Sequence, residues 1–291
     1  MSGFVSHDKA RALTAGVISA AMLALPSMAA DSVPDFAPND SVGWVAYGTD
    51  FIPPPSGPGP VASDPAHPFI PDPVEYRRSQ PDRKDDRPST FRVADLSNSI
   101  LQSWAREELR KRNELILSGK PGYNRQVSCW PLGVPAYLLY PIIPIYFVKT
   151  PKEVVMISNE DHMVRHIYLG VPHSARVKPS WSGESVGHYE GDTLVVDTIG
   201  LNDKTYIDNY RTPHSDKLHV VERYHLIDAG KTLEVNLHVE DPGAFTTPWD
   251  AIQRFTRTEI HPLEENHCAE NNANYFNYDL DPIPVATKPD F

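Results

Sequence analysis

Between Ala136 and Thr258 the chain is a succession of short β-forming runs, most of them followed by glycine, asparagine or aspartate and the rest by proline. The runs are Tyr137–Tyr140, Ile145–Val148, Val154–Ser158, Met163–Tyr168, Val186–Tyr189, Thr193–Thr198, Leu218–Ile227, Leu233–Glu240 and Trp249–Thr258. Asn159-Glu160-Asp161, Glu190-Gly191-Asp192 and Asp228-Ala229-Gly230-Lys231 supply tight turns. Strands this short, joined this tightly, pair with their sequence neighbours and run antiparallel. The expected fold is mainly β: an antiparallel, lipocalin-like barrel of about nine strands, or a sandwich. No helix-length segment separates the runs, which excludes a parallel α/β sheet.

What precedes this region is of a different kind. Residues 1–30 read as a signal peptide: Lys9 and Arg11, an apolar stretch from Leu13 to Leu25, then Ser27-Met28-Ala29 before cleavage near Ala29 or Ala30. The expected location is the periplasm or the exterior. Residues 31–94 are rich in proline and aspartate and cannot bury enough apolar surface to fold alone. They are read as an extended arm laid over the domain and anchored by Trp44, Tyr47, Phe51 and Phe69. A single β-rich domain is expected over 95–291, led by a helix at 97–117 that starts at Ser97 or Ser99 and stops at Gly119 and Pro121. Ile100, Trp104, Leu101 and Leu115 would form its apolar side.

Composition removes several partners. The formal net charge is −11 with no basic cluster, so nucleic acid and anionic lipid are poor matches. No later apolar run reaches membrane-spanning length without a proline. The two cysteines, Cys129 and Cys268, allow one internal bridge or two unpaired thiols; export permits the bridge, which is the favoured reading.

Strand parity sorts the polar residues, because alternate side chains share a face. In the last long hairpin Leu233, Val235, Leu237 and Val239 must point inward. On its partner, Leu218, Val220, Tyr224 and Leu226 form an apolar face with Glu222 in its middle, leaving His219 and Arg223 opposite. A carboxylate there must be paired, hydrogen-bonded or functional. Arg165 shares a face with Met163 and Ile167, and Gln253 shares one with Trp249, Ala251 and Phe255. In a closed barrel Glu222, Arg165, Gln253, Tyr224 and Asp197 would meet in one lumen. The competing reading is a buried Arg165–Glu222 bridge that only fixes the core. His173 and His214 follow prolines on loops at strand ends, where reactive groups are often presented. No phosphate-binding glycine loop or dinucleotide fingerprint is present.

The stretch Ser185-Val186-Gly187-His188-Tyr189-Glu190-Gly191-Asp192-Thr193-Leu194-Val195-Val196-Asp197-Thr198 resembles the hallmark of a large group of exported bacterial proteins to which no common reaction is assigned. Pro213-His214-Ser215, Leu218-His219-Val220 with Glu222-Arg223, Cys129-Trp130-Pro131 and Cys268-Ala269-Glu270-Asn271 match the group's further motifs. Tyr189 and Leu201 depart from it, standing where the pattern has Trp and Phe. The resemblance covers about Ser97 to Asn271 and implies export and one β-rich domain. It also puts Asp197, His214, His219, Glu222 and Arg223 forward as site residues.

The functional expectation is a cofactor-independent periplasmic enzyme, a lyase or isomerase, working by acid–base chemistry on a small, partly apolar organic molecule. Glu222 or Asp197 would be the base, His214 the acid or oxyanion donor, and Arg165 the orienting cation. Tyr224, Trp181, Trp249, Gln253, His173, His219 and Arg223 would contact the substrate. Two alternatives stand beside it. One is a non-catalytic binding protein for an apolar ligand, whose polar lumen groups satisfy one another. The other is a metal-dependent hydrolase or oxygenase using His173, His214 and His219. Cofactor and metal are assigned as none in the leading reading, and the oligomeric state is left open.

Overall fold

Strict alternation in the last hairpins sets the architecture. The computed structural model describes residues 35–36, 42–69, 92–119, 129–140, 144–158 and 163–259. Among them, Leu233, Val235, Leu237 and Val239 of β8 (Thr232–Glu240) are all buried, with half-buried polar residues between them. The same period runs through β7 (His219–Ile227), where Val220, Glu222 and Tyr224 are buried. Nine strands among the described residues close into a barrel. The others are β1 (Val42–Ala46), β2 (Ile145–Lys149), β3 (Glu153–Ser158), β4 (Val164–Leu169), β5 (Glu184–Glu190), β6 (Thr193–Ile199) and β9 (Trp249–Glu259). Each strand pairs with its sequence neighbours, and β1 pairs with β9 to close the ring, Val42 opposite Glu259 and Ala46 opposite Phe255. The expected barrel, mainly β with one leading helix, is therefore the one found; the sandwich is not.

Four details differ from the sequence reading. First, β4 and β5 are parallel, Ile167 opposite Ser185 and Leu169 opposite Gly187, so the barrel is not wholly antiparallel. The connection 170–183 must return along the barrel instead of turning tightly. Second, Tyr137–Tyr140 is no strand: Ala136–Leu139 is a 3-10 turn with Tyr137, Leu138 and Leu139 all buried. Third, the barrel begins inside the stretch read as an arm, because β1 supplies a strand, with Trp44 in the core and its Nε1–H donated to Phe36 O at 2.8 Å. Phe51 is buried as expected, whereas Tyr47 is exposed. Fourth, helix α1 is shorter, Ser103–Leu117, and begins after Gln102 instead of Ser97 or Ser99. Ala105, Leu109, Asn113 and Ile116 form its buried stripe, while Trp104 is exposed. Ile100 and Leu101 are buried, but they precede the helix.

Side-chain bonds tie these pieces to the barrel. Asn113 of α1 brackets residue 94, accepting from Ala94 N at 2.9 Å and donating to Ala94 O at 2.8 Å. Trp104 Nε1–H donates to Gly243 O at 2.5 Å, and Thr246 N to Ile100 O at 2.7 Å, which fixes α1 to the loop after β8. Arg92 is fully buried, ion-paired with Asp50 and laid 3.7 Å above the Phe69 ring; burial lowers its pKa to about 10. Cys129 is disulfide-bonded. Its expected partner Cys268 lies outside the described residues, as does the expected signal peptide. No helix among the described residues is long and apolar enough to cross a membrane.

Candidate functional site

The sequence brings its candidate residues to three places, not one. The first is the barrel interior. Arg165 and Glu222 point inward from β4 and β7 and form a fully buried ion pair, Arg165 Nη2 with Glu222 Oε2. Arg165 Nη1 also donates to Glu222 Oε1 at 3.1 Å and to Tyr137 Oη at 2.6 Å. Its Nη2 donates to Thr198 Oγ1 at 2.7 Å and its Nε to Ser185 Oγ at 3.0 Å. Tyr137 and Tyr224 each donate a hydroxyl to Glu222 Oε1, at 2.9 and 2.8 Å. Both carboxylate oxygens and all three guanidinium nitrogens are thus engaged. Burial raises the pKa of both tyrosines, so they remain donors at any physiological pH. Burial alone would lower the Arg165 pKa, but Glu222 and the tyrosines outweigh it and the net shift is upward.

This saturation changes the role expected of Glu222. A base needs an oxygen open to substrate, and Glu222 offers neither. Tyr137, the keystone of the network, escaped the sequence reading because it sits in a buried turn that has no strand or helix period. Gln253 also faces inward and is likewise occupied, its Nε2 donating to Gly48 O and Leu138 O at 3.1 Å each. Trp249 is core, packed against Phe51 and Phe245. The letters Gly183-Glu184-Ser185-Val186-Gly187 fit a serine-hydrolase elbow, but Ser185 lies inside a strand and turns into this network. It does not stand exposed on a strand-to-helix turn as an elbow serine must.

The second place is the outer surface. In the register Val196 faces Glu222 and Asp197 faces Val221, so Asp197 lies on the opposite face from Glu222. It therefore does not share the lumen, as had been expected. Val195 and Val196 are both buried, which is why valine burial could not rank the two faces of β6. Asp197 Oδ1 is contacted by His173 Nε2 at 3.1 Å and by His219 Nε2 at 2.9 Å. Arg223 is exposed and paired with Glu190 at 2.5 Å. Trp181 packs against Trp130 with the rings tilted by 53° and their centroids 5.5 Å apart.

The third place is a cleft of about 400 Å³ between α1 and the loop 203–214, lined by Trp104, Glu108, Arg112, Asp203, Tyr206, Arg211, Pro213 and His214. His214 is buried in its wall. Its Nδ1 lies 2.9 Å from Ser215 O, which can only accept, so Nδ1 carries the proton. In the neutral ring Nε2 then accepts from the Thr205 hydroxyl, 2.7 Å away. Two buried aspartates hold this loop. Asp208 accepts from Tyr210 N at 2.9 Å, Thr212 N at 3.1 Å and Thr212 Oγ1 at 2.7 Å; burial raises its pKa against these bonds. Asp241 accepts from Ser215 N and Ser215 Oγ, both at 2.6 Å, and from Gly243 N at 2.9 Å, joining the His214 loop to the loop that holds α1. Arg211 is buried at φ 66°, and its pKa falls to about 10, first through burial, with Arg112 and Arg92 adding to the effect while Tyr206 opposes it. The Asp241-Pro242-Gly243 turn signature was a legible clue to the second clamp.

Comparison with family models, curated proteins and solved structures gives no match for this chain. Its class is defined by its own architecture: a closed nine-stranded barrel with a sealed ionic core and a polar cleft under its helix.

Proposed function

We propose that this chain is an exported, lipocalin-like barrel protein of the group carrying the motifs around Asp197 and His214, and that it is an enzyme acting by acid–base chemistry on a small organic molecule. The site of that chemistry is the α1 cleft, not the lumen. One observation carries the reading: His214 is buried in the wall of a ligand-sized cleft with its Nδ1–H held by Ser215 O and its Nε2 accepting from the Thr205 hydroxyl, so proton exchange with a substrate runs through Thr205 or displaces that bond. Arg112 and Arg211 on the same walls can meet negative charge on a substrate, beside Glu108 and Asp203, which leave the lining without net charge. Trp104 and Tyr206 give it an apolar side. Proton transfer by one placed imidazole contributes on the order of 10²–10⁴-fold, so positioning by the cleft must supply the rest.

A second reading is supported by the lumen. The Arg165–Glu222–tyrosine set is satisfied internally, which is what a non-catalytic binding protein predicts. Both are tested by screening the protein against small carboxylic acids for binding and for turnover. His214→Gln should remove turnover while leaving the fold and ligand binding in place. Binding without turnover would select the binding protein. Turnover that survives His214→Gln would sink the cleft reading.

A further inference from the structure

Helix α1 presents one stripe to the cleft. Trp104, Glu108 and Arg112 follow one another at four-residue spacing, and all three line it. Residues four apart on a helix are neighbours, about 6 Å from one to the next along the axis. An apolar ring, an anion and a cation are therefore laid out in that order along one wall. The facing wall is the loop 203–214, which brings Asp203, Tyr206 and Arg211. Arg112 lies over the Tyr206 ring, 5.8 Å from its centroid, so the cationic end of the stripe meets the loop. Arg112 also adds to the burial that lowers the Arg211 pKa, which brings the second guanidinium to the same end.

The charges on these walls balance, Arg112 and Arg211 against Glu108 and Asp203. A simple anion would gain the two guanidiniums but be opposed by the two carboxylates, and a simple cation would meet the converse. A molecule that carries both charges is served by both sets. The order along α1 adds a further constraint. Apolar group, then ammonium, then carboxylate is the order of groups in an α-amino acid with an apolar side chain. Each wall residue is able to take its part. Glu108 is partly exposed and accepts from Lys111 Nζ at 2.7 Å, a surface pair of the kind that exchanges readily. Trp104 donates its N–H to Gly243 O and keeps its ring partly exposed for packing. The guanidinium fork of arginine matches the two oxygens of a carboxylate. The cleft volume of about 400 Å³ lies within the range of roughly 300–1,000 Å³ usual for small-molecule sites.

We propose that the α1 cleft binds a small zwitterion, an α-amino acid with an apolar or aromatic side chain. Its carboxylate meets Arg112 and Arg211, its ammonium meets Glu108 and Asp203, and its side chain packs on Trp104. The assignment rests on the cleft being the ligand site, and it names the class of molecule held there. Both ends are recognised by charge-assisted hydrogen bonds, so removing either charge from the ligand should weaken binding on the order of 10-fold or more.

The test is calorimetric titration of the full-length protein with three probes of one skeleton. Phenylalanine carries both charges, hydrocinnamate lacks the ammonium and phenethylamine lacks the carboxylate. Phenylalanine should bind once per chain, and each analogue about 10-fold or more weaker. Glu108→Gln should weaken phenylalanine about 10-fold and leave hydrocinnamate as tight or tighter. Arg112→Gln should weaken phenylalanine and hydrocinnamate alike and leave phenethylamine as tight or tighter. Glu107→Gln alters the neighbouring residue, which is exposed and paired with Arg110, and should bind all three as the parent does. Either analogue binding as tightly as phenylalanine would overturn the zwitterion and leave the cleft standing as the ligand site. Phenylalanine binding that neither Glu108→Gln nor Arg112→Gln changes would overturn the cleft reading with it, because the site would lie elsewhere. Absence of saturable phenylalanine binding by the parent would also overturn the assignment, and the cleft would then be judged on turnover of carboxylic acids alone.

Discussion

Replacing Arg165 with methionine should give a stability loss that depends on pH, whereas replacing Glu222 with glutamine should give one that does not. The pair is fully buried, and breaking a buried pair costs about 3–5 kcal/mol. The two survivors differ in what they can do next. Arginine cannot shed its proton, so Glu222→Gln leaves a permanent buried cation held only by neutral groups: Tyr137, Thr198 and Ser185. A stranded Glu222 can instead take up a proton and stay buried as a neutral acid, still bonded to Tyr137 and Tyr224. At pH 7 that escape costs about 3.7 kcal/mol, from roughly 2.7 pH units above the ordinary glutamate pKa at ~1.36 kcal/mol each. The sign follows from linkage. Folded Arg165→Met binds one proton more than its unfolded chain between the ordinary pKa and its own raised value, so its stability increases as pH falls. From pH 7 to pH 5 the Arg165→Met deficit should shrink by about 2.7 kcal/mol, while the Glu222→Gln deficit holds steady. Urea unfolding of the three proteins at the two pH values measures both. Equal Arg165→Met deficits at pH 5 and pH 7 would refute the reasoning.

Three further outcomes follow from named contacts. Leu109→Ala, on the buried stripe of α1, should cost about 2–5 kcal/mol in urea unfolding, and Trp104→Ala clearly less, because Trp104 is exposed and contributes chiefly one hydrogen bond to Gly243 O. Gly133→Ala should cost about 2–4 kcal/mol, since its φ of 75° strains any other residue and a Cβ would lie 2.6 Å from Thr205 Cγ2. It should also shift the His214 ring resonances through Thr205, and an unmoved spectrum would deny that coupling. Burial works against His238 protonation, but its bonds to Asp250 and Glu240 prevail and its pKa is raised. Its contribution to stability is therefore complete below the ordinary histidine value and lost as pH climbs past the raised one, so the Asp250→Asn deficit should be larger near about pH 5.5 than near about pH 9. A deficit independent of pH would count against that ion pair.

The parts of this structure that could be read from the sequence are those where one face is wet and the other dry. Leu233, Val235, Leu237 and Val239 gave β8 its inner face, and the same parity placed Glu222 and Arg165 inside, where they meet. Legibility failed where burial is two-sided or the chain bends. Val195 and Val196 are both buried and hid the orientation of Asp197. Tyr137, Leu138 and Leu139 are buried on a turn, and a run of apolar residues without a period looks like a strand. β1 was masked by its proline-rich surroundings and by Gly43, which sits where a Cβ would lie 2.8 Å from Pro144. The separation of the candidate residues into lumen, surface and cleft depends on strand register and loop paths, which local sequence does not encode.

The pairing of β1 with β9 has a consequence for how this chain comes to be folded. Closure joins Val42–Ala46 to the strand that ends at Glu259, across roughly 200 residues of intervening chain. Until that last strand has been synthesised, the first has no partner on one edge, and Trp44 has no finished core to enter. The barrel therefore cannot be completed from its N-terminus outward as the chain emerges. Ring closure belongs to the whole polypeptide, and a ribosome-bound chain arrested before residue 249 should remain open at that seam and sensitive to protease there.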